Sequence, residues 1–181
     1  MIISVELVNK ILSVGVIIIQ LIFIVSLFGL IFYQPKKGSE LAKFLGKRGI
    51  LLAFVIALAA TLGSLFYSEI AGYAPCDLCW YQRIFMYPQV IILGISLWHK
   101  DLGAAKYGLP LAIIGLVIAL YHNYIILSGS TLSVCTQSTF TGVSCLQRYV
   151  FEFGYVTIPL MSFSAFALVA LILYGVRKVS K

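Results

Sequence analysis

The chain has 181 residues, of which 61% are hydrophobic and only 10% are charged, and its mean hydropathy is +1.04. A soluble domain of this length could not cover so apolar a sequence with polar surface, so the composition predicts an integral membrane protein. The net charge of +7 does not indicate a nucleic-acid partner, because the basic residues lie in short loops between apolar runs.

Five apolar segments follow one another and predict five membrane-spanning helices, because a helix needs about 20 apolar residues to cross a bilayer. They cover residues 11–33, 49–68, 80–98, 107–127 and 155–176. The third is the least apolar. It reaches spanning length only if Trp80 and Tyr81 lie in the interface and Arg83 extends toward water. The predicted fold class is therefore an all-α integral membrane protein.

The Lys and Arg residues are divided unequally between the two sides of these segments. Ten lie after the first and third segments and at the C-terminus, whereas only Lys10, Arg83 and Arg148 lie on the other side. Cytoplasmic loops are rich in Lys and Arg. The bias therefore predicts an extracytoplasmic N-terminus and a cytoplasmic C-terminus.

All four cysteines fall on the predicted outer face, as the local pairs Cys76/Cys79 and Cys135/Cys145. This placement fits an oxidising compartment. The first pair has C-x-x-C spacing and can close and reopen a small disulfide ring. If the following helix begins near Cys79, its N-terminus favours a thiolate there. Arg83, four residues later, can face Cys79 on the same side of that helix.

Two dithiol pairs on one face suggest a thiol–disulfide relay, in which one pair exchanges with a protein partner and the other passes electrons to a sink. No Gly-rich turn follows a predicted strand, so no flavin site is indicated. The haem-attachment motif C-x-x-C-H is missing, because Trp80 rather than a histidine follows Cys79. A quinone dissolved in the bilayer fits, with its head group beside Cys79 and Arg83 near a carbonyl oxygen. His122 lies at the same predicted depth and could donate to a quinone oxygen or bond to water or backbone.

Several alternatives remain open from the residues alone. The four cysteines could form two static disulfides, or a zinc site, although nine residues between Cys135 and Cys145 are poor spacing for zinc. Residues 147–155 could form a short helix in the interface or an aromatic belt at the start of the fifth segment. No Asp, Glu, Lys or Arg lies at mid-depth in the five segments, which disfavours an ion-coupled transporter.

The stretch Pro-Cys-Asp-Leu-Cys-Trp-Tyr-Gln-Arg at 75–83, followed by Tyr121-His122 and then by Cys135 and Cys145, resembles the DsbB family of quinone-dependent disulfide-forming oxidoreductases. It is most similar to the BdbC-like branch, which has a short second cysteine loop. The resemblance covers about residues 49–177. It implies a four-helix transmembrane bundle at 49–181. The preceding residues, 1–48, would be an additional N-terminal transmembrane helix with a basic cytoplasmic loop.

The resemblance also implies roles for the cysteines in the cell membrane of a prokaryote. Cys79 would be the thiolate in contact with ubiquinone or menaquinone, and Cys76 its disulfide partner. Cys135 would be attacked by a thioredoxin-like (DsbA-like) extracytoplasmic oxidase, and Cys145 would exchange with Cys76. The residues implied to bind the quinone are Cys79, Arg83 and His122.

Two rival functions differ from this interpretation. Vitamin K epoxide reductase-like enzymes also join a C-x-x-C to a second outer cysteine pair, but their C-x-x-C follows the loop pair, whereas here it precedes it. A non-enzymatic membrane scaffold with disulfide-stapled loops would instead have disulfides with reduction potentials below about −300 mV and no response to quinone.

Overall fold

The computed structural model describes residues 5–32, 40–129 and 142–180, and most of them are helical. Within these ranges the only β-type pairing is an isolated bridge between Glu152 and Val156. The described residues form five α-helices. They are α1 (Val5–Phe32), α2 (Glu40–Leu65), α3 (Asp77–His99), α4 (Ala105–Ser128) and α5 (Ile158–Ser180). A π-helical turn, Phe66–Ile70, extends α2, and a 3₁₀ turn, Leu102–Ala104, leads into α4.

The helices α2 to α5 form a closed four-helix bundle, in which α3 packs against α2 and α4, and α5 packs against α2 and α4. The first helix lies outside this ring and packs mainly against α5. The structure therefore has the all-helical membrane bundle that the sequence predicts, with one helix added to a core of four. The division of the chain into 1–48 and 49–181 stays a prediction.

Small residues let the bundle helices approach one another closely, as is common between helices in a bilayer. The side chains of Phe166, Val169 and Leu173 on α5 are fully buried. The ring of Phe166 lies directly over Gly115 of α4, where a Cβ atom would overlap it, and Leu173 approaches Gly108. These contacts fix the position of α5 within the bundle.

Among the described residues, four helical stretches are long and apolar enough to cross a membrane, at Val5–Gly29, Lys43–Ile70, Leu102–Ser128 and Ile158–Val179. The third helix falls outside this group. It carries Gln82, Arg83 and Gln89, which make it less apolar than the others. It nevertheless lies in the ring between α2 and α4, so the bundle surrounds its polar side chains.

The sequence placed the start of the fifth helix too early. Residues 155–176 were expected to be helical, but α5 begins at Ile158. Tyr155 belongs to a turn in which Phe153 and Gly154 have positive φ and the Glu152–Val156 bridge closes the chain. The interface helix considered for residues 147–155 is also absent, since these described residues form turns and extended backbone. Backbone pairing within the turn replaces helical hydrogen bonds there.

Candidate redox site

The C-x-x-C pair lies where the chain enters α3, at the end of the bundle that we call the cysteine end. Cys76 is the N-cap residue of α3, with extended backbone, and Cys79 lies in the first helical turn. The two sulfur atoms are 3.1 Å apart and both residues are free thiols. Because the helix begins at Asp77, Cys76 lies at its N-terminus, and the backbone N–H of Cys79 helps to lower the pKa of the Cys76 thiol.

The electrostatics of the reduced pair favour negative charge on Cys76. The pKa of Cys76 is lowered to about 4, chiefly by the hydrogen bond from the Cys79 thiol. Burial opposes this change, and His122 adds to it. The free dithiol therefore holds its negative charge on Cys76, whereas the resemblance implies a thiolate at Cys79. The assignment of Cys79 as the quinone-facing sulfur stays a prediction.

His122 lies between the two cysteine regions. It is only 2% exposed, and its Nε2 atom lies 3.2 Å from the backbone oxygen of Cys145 and 3.9 Å from the sulfur of Cys76. The amide nitrogen of Gln82 lies 3.1 Å from Nδ1. If the amide donates to Nδ1, the proton is on Nε2, which then donates to the Cys145 carbonyl. The imidazole thus ties the second cysteine loop to the C-x-x-C.

Cys145 is disulfide-bonded and 1% exposed. It packs in one apolar cluster with Cys76, Leu78 and Ile125. Cys135, the other predicted member of its pair, lies outside the described residues. The described part of the second loop therefore reaches the same buried cluster as the C-x-x-C, which is the proximity that exchange between the pairs requires.

Arg83 is fixed against α2. Its Nε atom donates to the Ser64 hydroxyl over 3.0 Å and its Nη2 atom to the Ser64 carbonyl over 3.1 Å. The guanidinium also lies over the ring of Trp80, 5.1 Å from its centroid, in a cation–π contact. Two of its five N–H donors thus hold the side chain in place beside the C-x-x-C.

A cavity of about 380 Å³ opens beside these residues, and we call it the cysteine cavity. Cys76, Cys79 and Arg83 contribute to one side, and His122 is also on its lining. The remaining walls come from α1, α2 and α5, from the connection before the C-x-x-C and from the second cysteine loop, which includes Cys145 and Arg148. Its size lies in the range of small-molecule sites, about 300–1,000 Å³, and such sites combine apolar walls with a few polar groups.

The donor atoms of Cys76, Cys79 and His122 lie within 4.8 Å of one another, which is metal-ligand spacing. This grouping differs from the zinc site of four cysteines considered from the sequence. Cys145 is disulfide-bonded, so its sulfur is not a thiolate ligand in this structure. The Nε2 atom of His122 faces the Cys145 carbonyl, and that contact competes with metal binding.

The structure brings together Cys76, Cys79, Arg83 and His122 as the sequence suggested, and it adds two residues. Gln82 supports His122, and Ser64 holds Arg83. Gln82 follows Cys79 by three residues, which is a helical spacing that could have indicated it. Ser64 gave no such signal, because it lies on another helix and its neighbours depend on how α2 and α3 pack.

A partly buried dithiol, a second cysteine loop in contact with it and an adjoining apolar cavity in a membrane bundle define a membrane thiol–disulfide oxidoreductase. The sequence profile described as "Disulfide bond formation protein DsbB" matches residues 46–176. The chain therefore belongs to the DsbB family of disulfide bond formation proteins.

Curated relatives that are named as disulfide bond formation proteins align with about two thirds of the chain. The chain is 48% identical over 123 residues to the SPbeta prophage-derived disulfide bond formation protein B of Bacillus subtilis, covering 68% of this chain and 81% of the relative. It is 44% identical over 119 residues to disulfide bond formation protein C of the same organism, covering 65% and 83%. No solved structure matches the chain.

Proposed function

We propose that this membrane oxidoreductase reoxidises a thioredoxin-like extracytoplasmic dithiol oxidase and passes the electrons to a membrane quinone. The observation that supports this most directly is that His122 contacts both the Cys76 sulfur and the Cys145 carbonyl. A pair of unconnected structural disulfides would not need this connection. The relay requires the two cysteine regions to meet.

Two exchanges carry the electrons through the chain. The partner's thiolate attacks Cys135 and displaces Cys145; the partner's second thiolate then attacks this mixed disulfide, closes the partner's own disulfide and releases Cys135. The Cys145 thiolate attacks Cys76 and displaces Cys79; Cys135 then attacks Cys145, re-forms their disulfide and releases Cys76. Each exchange breaks one disulfide and forms one, so the net result is an oxidised partner and a Cys76/Cys79 dithiol.

The residues around the cysteine cavity fit a quinone. Its walls are mainly apolar, and Cys76, Cys79 and Arg83 are among the lining residues. When bound, a quinone would accept two electrons from the Cys76/Cys79 pair, together with the proton of the Cys79 thiol and a second proton from water. Arg83 supplies a fixed positive charge for a carbonyl oxygen. A Cys76 thiolate is the group needed to re-form the bond to Cys79, whose sulfur is 3.1 Å away.

The predicted orientation supports the same scheme. The positive-inside bias places the cysteine end on the extracytoplasmic face, where a secreted oxidase would meet it. The C-terminus would lie in the cytoplasm. The cell membrane of a prokaryote is the expected location.

The test is partner-dependent quinone reduction. The purified protein is mixed with a reduced thioredoxin-like oxidase and either a ubiquinone or a menaquinone analogue, and the ultraviolet absorbance of the quinone is followed. We expect absorbance loss that requires the partner and falls at least about 10³-fold in Cys79→Ser, as for removal of other groups essential to covalent catalysis. Lack of partner-dependent loss with both analogues would contradict the proposal.

A further inference from the structure

One face of α1 forms a wall of the cysteine cavity. The lining residues on this helix are Ile11, Leu12, Gly15, Val16 and Ile19. Leu12, Gly15, Val16 and Ile19 are spaced i, i+3, i+4 and i+7, so they form one continuous stripe. The stripe is entirely apolar. The family match begins at residue 46, so α1 lies outside it.

Specific contacts hold this stripe against the bundle. Gln20 donates from Nε2 to the hydroxyl of Ser164 on α5 over 3.0 Å, and its Oε1 accepts from the hydroxyl of Tyr155 over 3.2 Å. The side chain of Leu12 lies close to Gly63 of α2, where an added Cβ atom would be 3.8 Å from it. The helix is therefore attached to both sides of the cavity that it covers.

We propose that this α1 face binds the prenyl tail of the quinone, while the quinone ring lies against Cys79 and Arg83. The inference rests on the proposed function and extends it to a substrate determinant. The cavity is continuous between the polar C-x-x-C side and the apolar α1 stripe. A prenylated quinone has the same two parts, a polar ring and an apolar tail. A lipid acyl chain would match only the apolar part.

Gly15 allows this proposal to be tested directly. It lines the cavity, and a Cβ atom added there would meet no atom within 4 Å. A larger side chain at this position would therefore extend into the cavity without a backbone clash. Gly29 on the same helix also has no atom within 4 Å of an added Cβ, but it is not on the cavity lining. Identical substitutions at Gly29 are the matched controls.

The experiment compares Gly15→Ala, Gly15→Leu and Gly15→Phe with the same three substitutions at Gly29. Each variant is assayed for partner-dependent reduction of a ubiquinone analogue with a decyl or short prenyl tail, and of the corresponding ring without a tail. For the tailed quinone, we expect KM to rise with side-chain size at Gly15, reaching about tenfold for Gly15→Phe. That factor corresponds to losing the burial of roughly two methylene groups.

The tail-less ring supplies the internal control. Its KM and kcat should be unchanged in the Gly29 series, and in Gly15→Ala and Gly15→Leu its KM should rise less than that of the tailed quinone. Quenching of tryptophan fluorescence by the tailed quinone, in protein with its cysteines oxidised, gives binding without turnover. Binding of the tailed quinone measured by this quenching should weaken as the side chain at position 15 becomes larger. Trp80, beside Arg83, is the expected reporter.

Three outcomes separate the possibilities. Equal KM values for the tailed quinone in the Gly15 and Gly29 series would overturn the proposal, and the cavity would then hold a lipid chain or another ligand. Equal increases in KM for the tailed and the tail-less quinone in the Gly15→Ala and Gly15→Leu variants would also overturn the proposal. If wild-type protein reduces neither quinone, the proposed function fails, and fluorescence quenching alone decides whether α1 binds the tail.

Discussion

The bundle of α2 to α5 and the added helix α1 are built in different ways. Of the residues in the most apolar 18-residue stretch of α5, 56% are buried within the protein, against 11% for α1. Side chains on α5 interlock with glycines on α4. The first helix is attached by one apolar stripe and by Gln20. The bundle therefore fixes the cysteine chemistry, whereas α1 shapes one side of the cavity beside it.

The largest expected effect is on the acidity of Cys76, within the bundle. Its pKa is lowered to about 4, so the thiolate should persist at neutral pH and disappear only as the pH falls through about 4. Thiolate ultraviolet absorbance of the protein with a reduced C-x-x-C checks this.

The control removes the main cause of that lowered pKa. In Cys79→Ala the hydrogen bond from the Cys79 thiol is gone, and the midpoint of the Cys76 titration should move up toward the ordinary range of a thiol. A wild-type midpoint between about 8 and 9 would show that the bundle does not activate Cys76. Substitution of exposed Leu21 on α1 by Ala should leave the titration unchanged.

The next largest effect is expected on the rate of disulfide exchange between the two cysteine regions. His122→Ala should slow exchange between Cys145 and Cys76 by about 10- to 100-fold, because it removes hydrogen bonds to a carbonyl and to a charged sulfur. Stopped-flow alkylation followed by mass mapping measures this step. The KM for quinone should change little. Gln82→Ala should produce a smaller effect in the same direction, and unchanged exchange in His122→Ala would remove the histidine from the relay.

Packing of the bundle can be compared with that of α1 by one type of substitution. Gly115→Ala places a methyl group against the buried ring of Phe166 and should lower the free energy of unfolding by about 1–3 kcal/mol. Gly29→Ala on α1 meets no atom within 4 Å and should be neutral or stabilising by about 0.5–1 kcal/mol. Unfolding by a denaturing detergent gives both values.

A second substitution decides whether overpacking is the cause. Phe166→Leu in the Gly115→Ala background makes room for the methyl group. It should recover part of the lost stability relative to the sum of the two single changes. Strict additivity would mean that the two side chains do not meet as the structure shows.

The smallest effect is expected for the polar attachment of α1. Gln20→Leu removes the contacts to Ser164 and Tyr155, and hydrogen bonds between membrane helices contribute about 0.6 kcal/mol each. A loss of about 1 kcal/mol in the free energy of unfolding is therefore expected. Leu21→Ala, on the exposed side of the same helix, is the control. An equal loss in both variants would show that Gln20 is not a specific attachment.

Much of this architecture could be predicted from the sequence, because the bilayer sets the length of an apolar segment and thereby reveals each helix. The C-x-x-C and Arg83 could be grouped because helical spacing is local. The start of α5 could not be located, since pairing between Glu152 and Val156 stops the aromatic run from becoming helical. The contact of Ser64 with Arg83 depends on how two separate helices pack, and the periodicity of a single helix does not show this.

The sequence also did not show that α1 forms a wall of the cysteine cavity. The first segment is apolar except for Ser13, Gln20 and Ser26, and Ser26 lies on a different side of the helix from the other two, so the pattern of the segment does not show which face meets the bundle. That face becomes visible only from the positions of Gln20 and Leu12 in the folded chain. The role of the added helix was therefore unexplained by the sequence.

The central claim is that electrons pass from the partner through the second cysteine pair to the C-x-x-C. The most direct measurement uses a reduced thioredoxin-like oxidase that retains only its nucleophilic cysteine, mixed with the fully oxidised protein, followed by acid quenching and mass mapping of every disulfide. The account predicts a mixed disulfide between the partner and Cys135, a new bond between Cys145 and Cys76, and a free thiol or thiolate at Cys79. A partner adduct on Cys76 or Cys79, with the bond of Cys145 left intact, would contradict it.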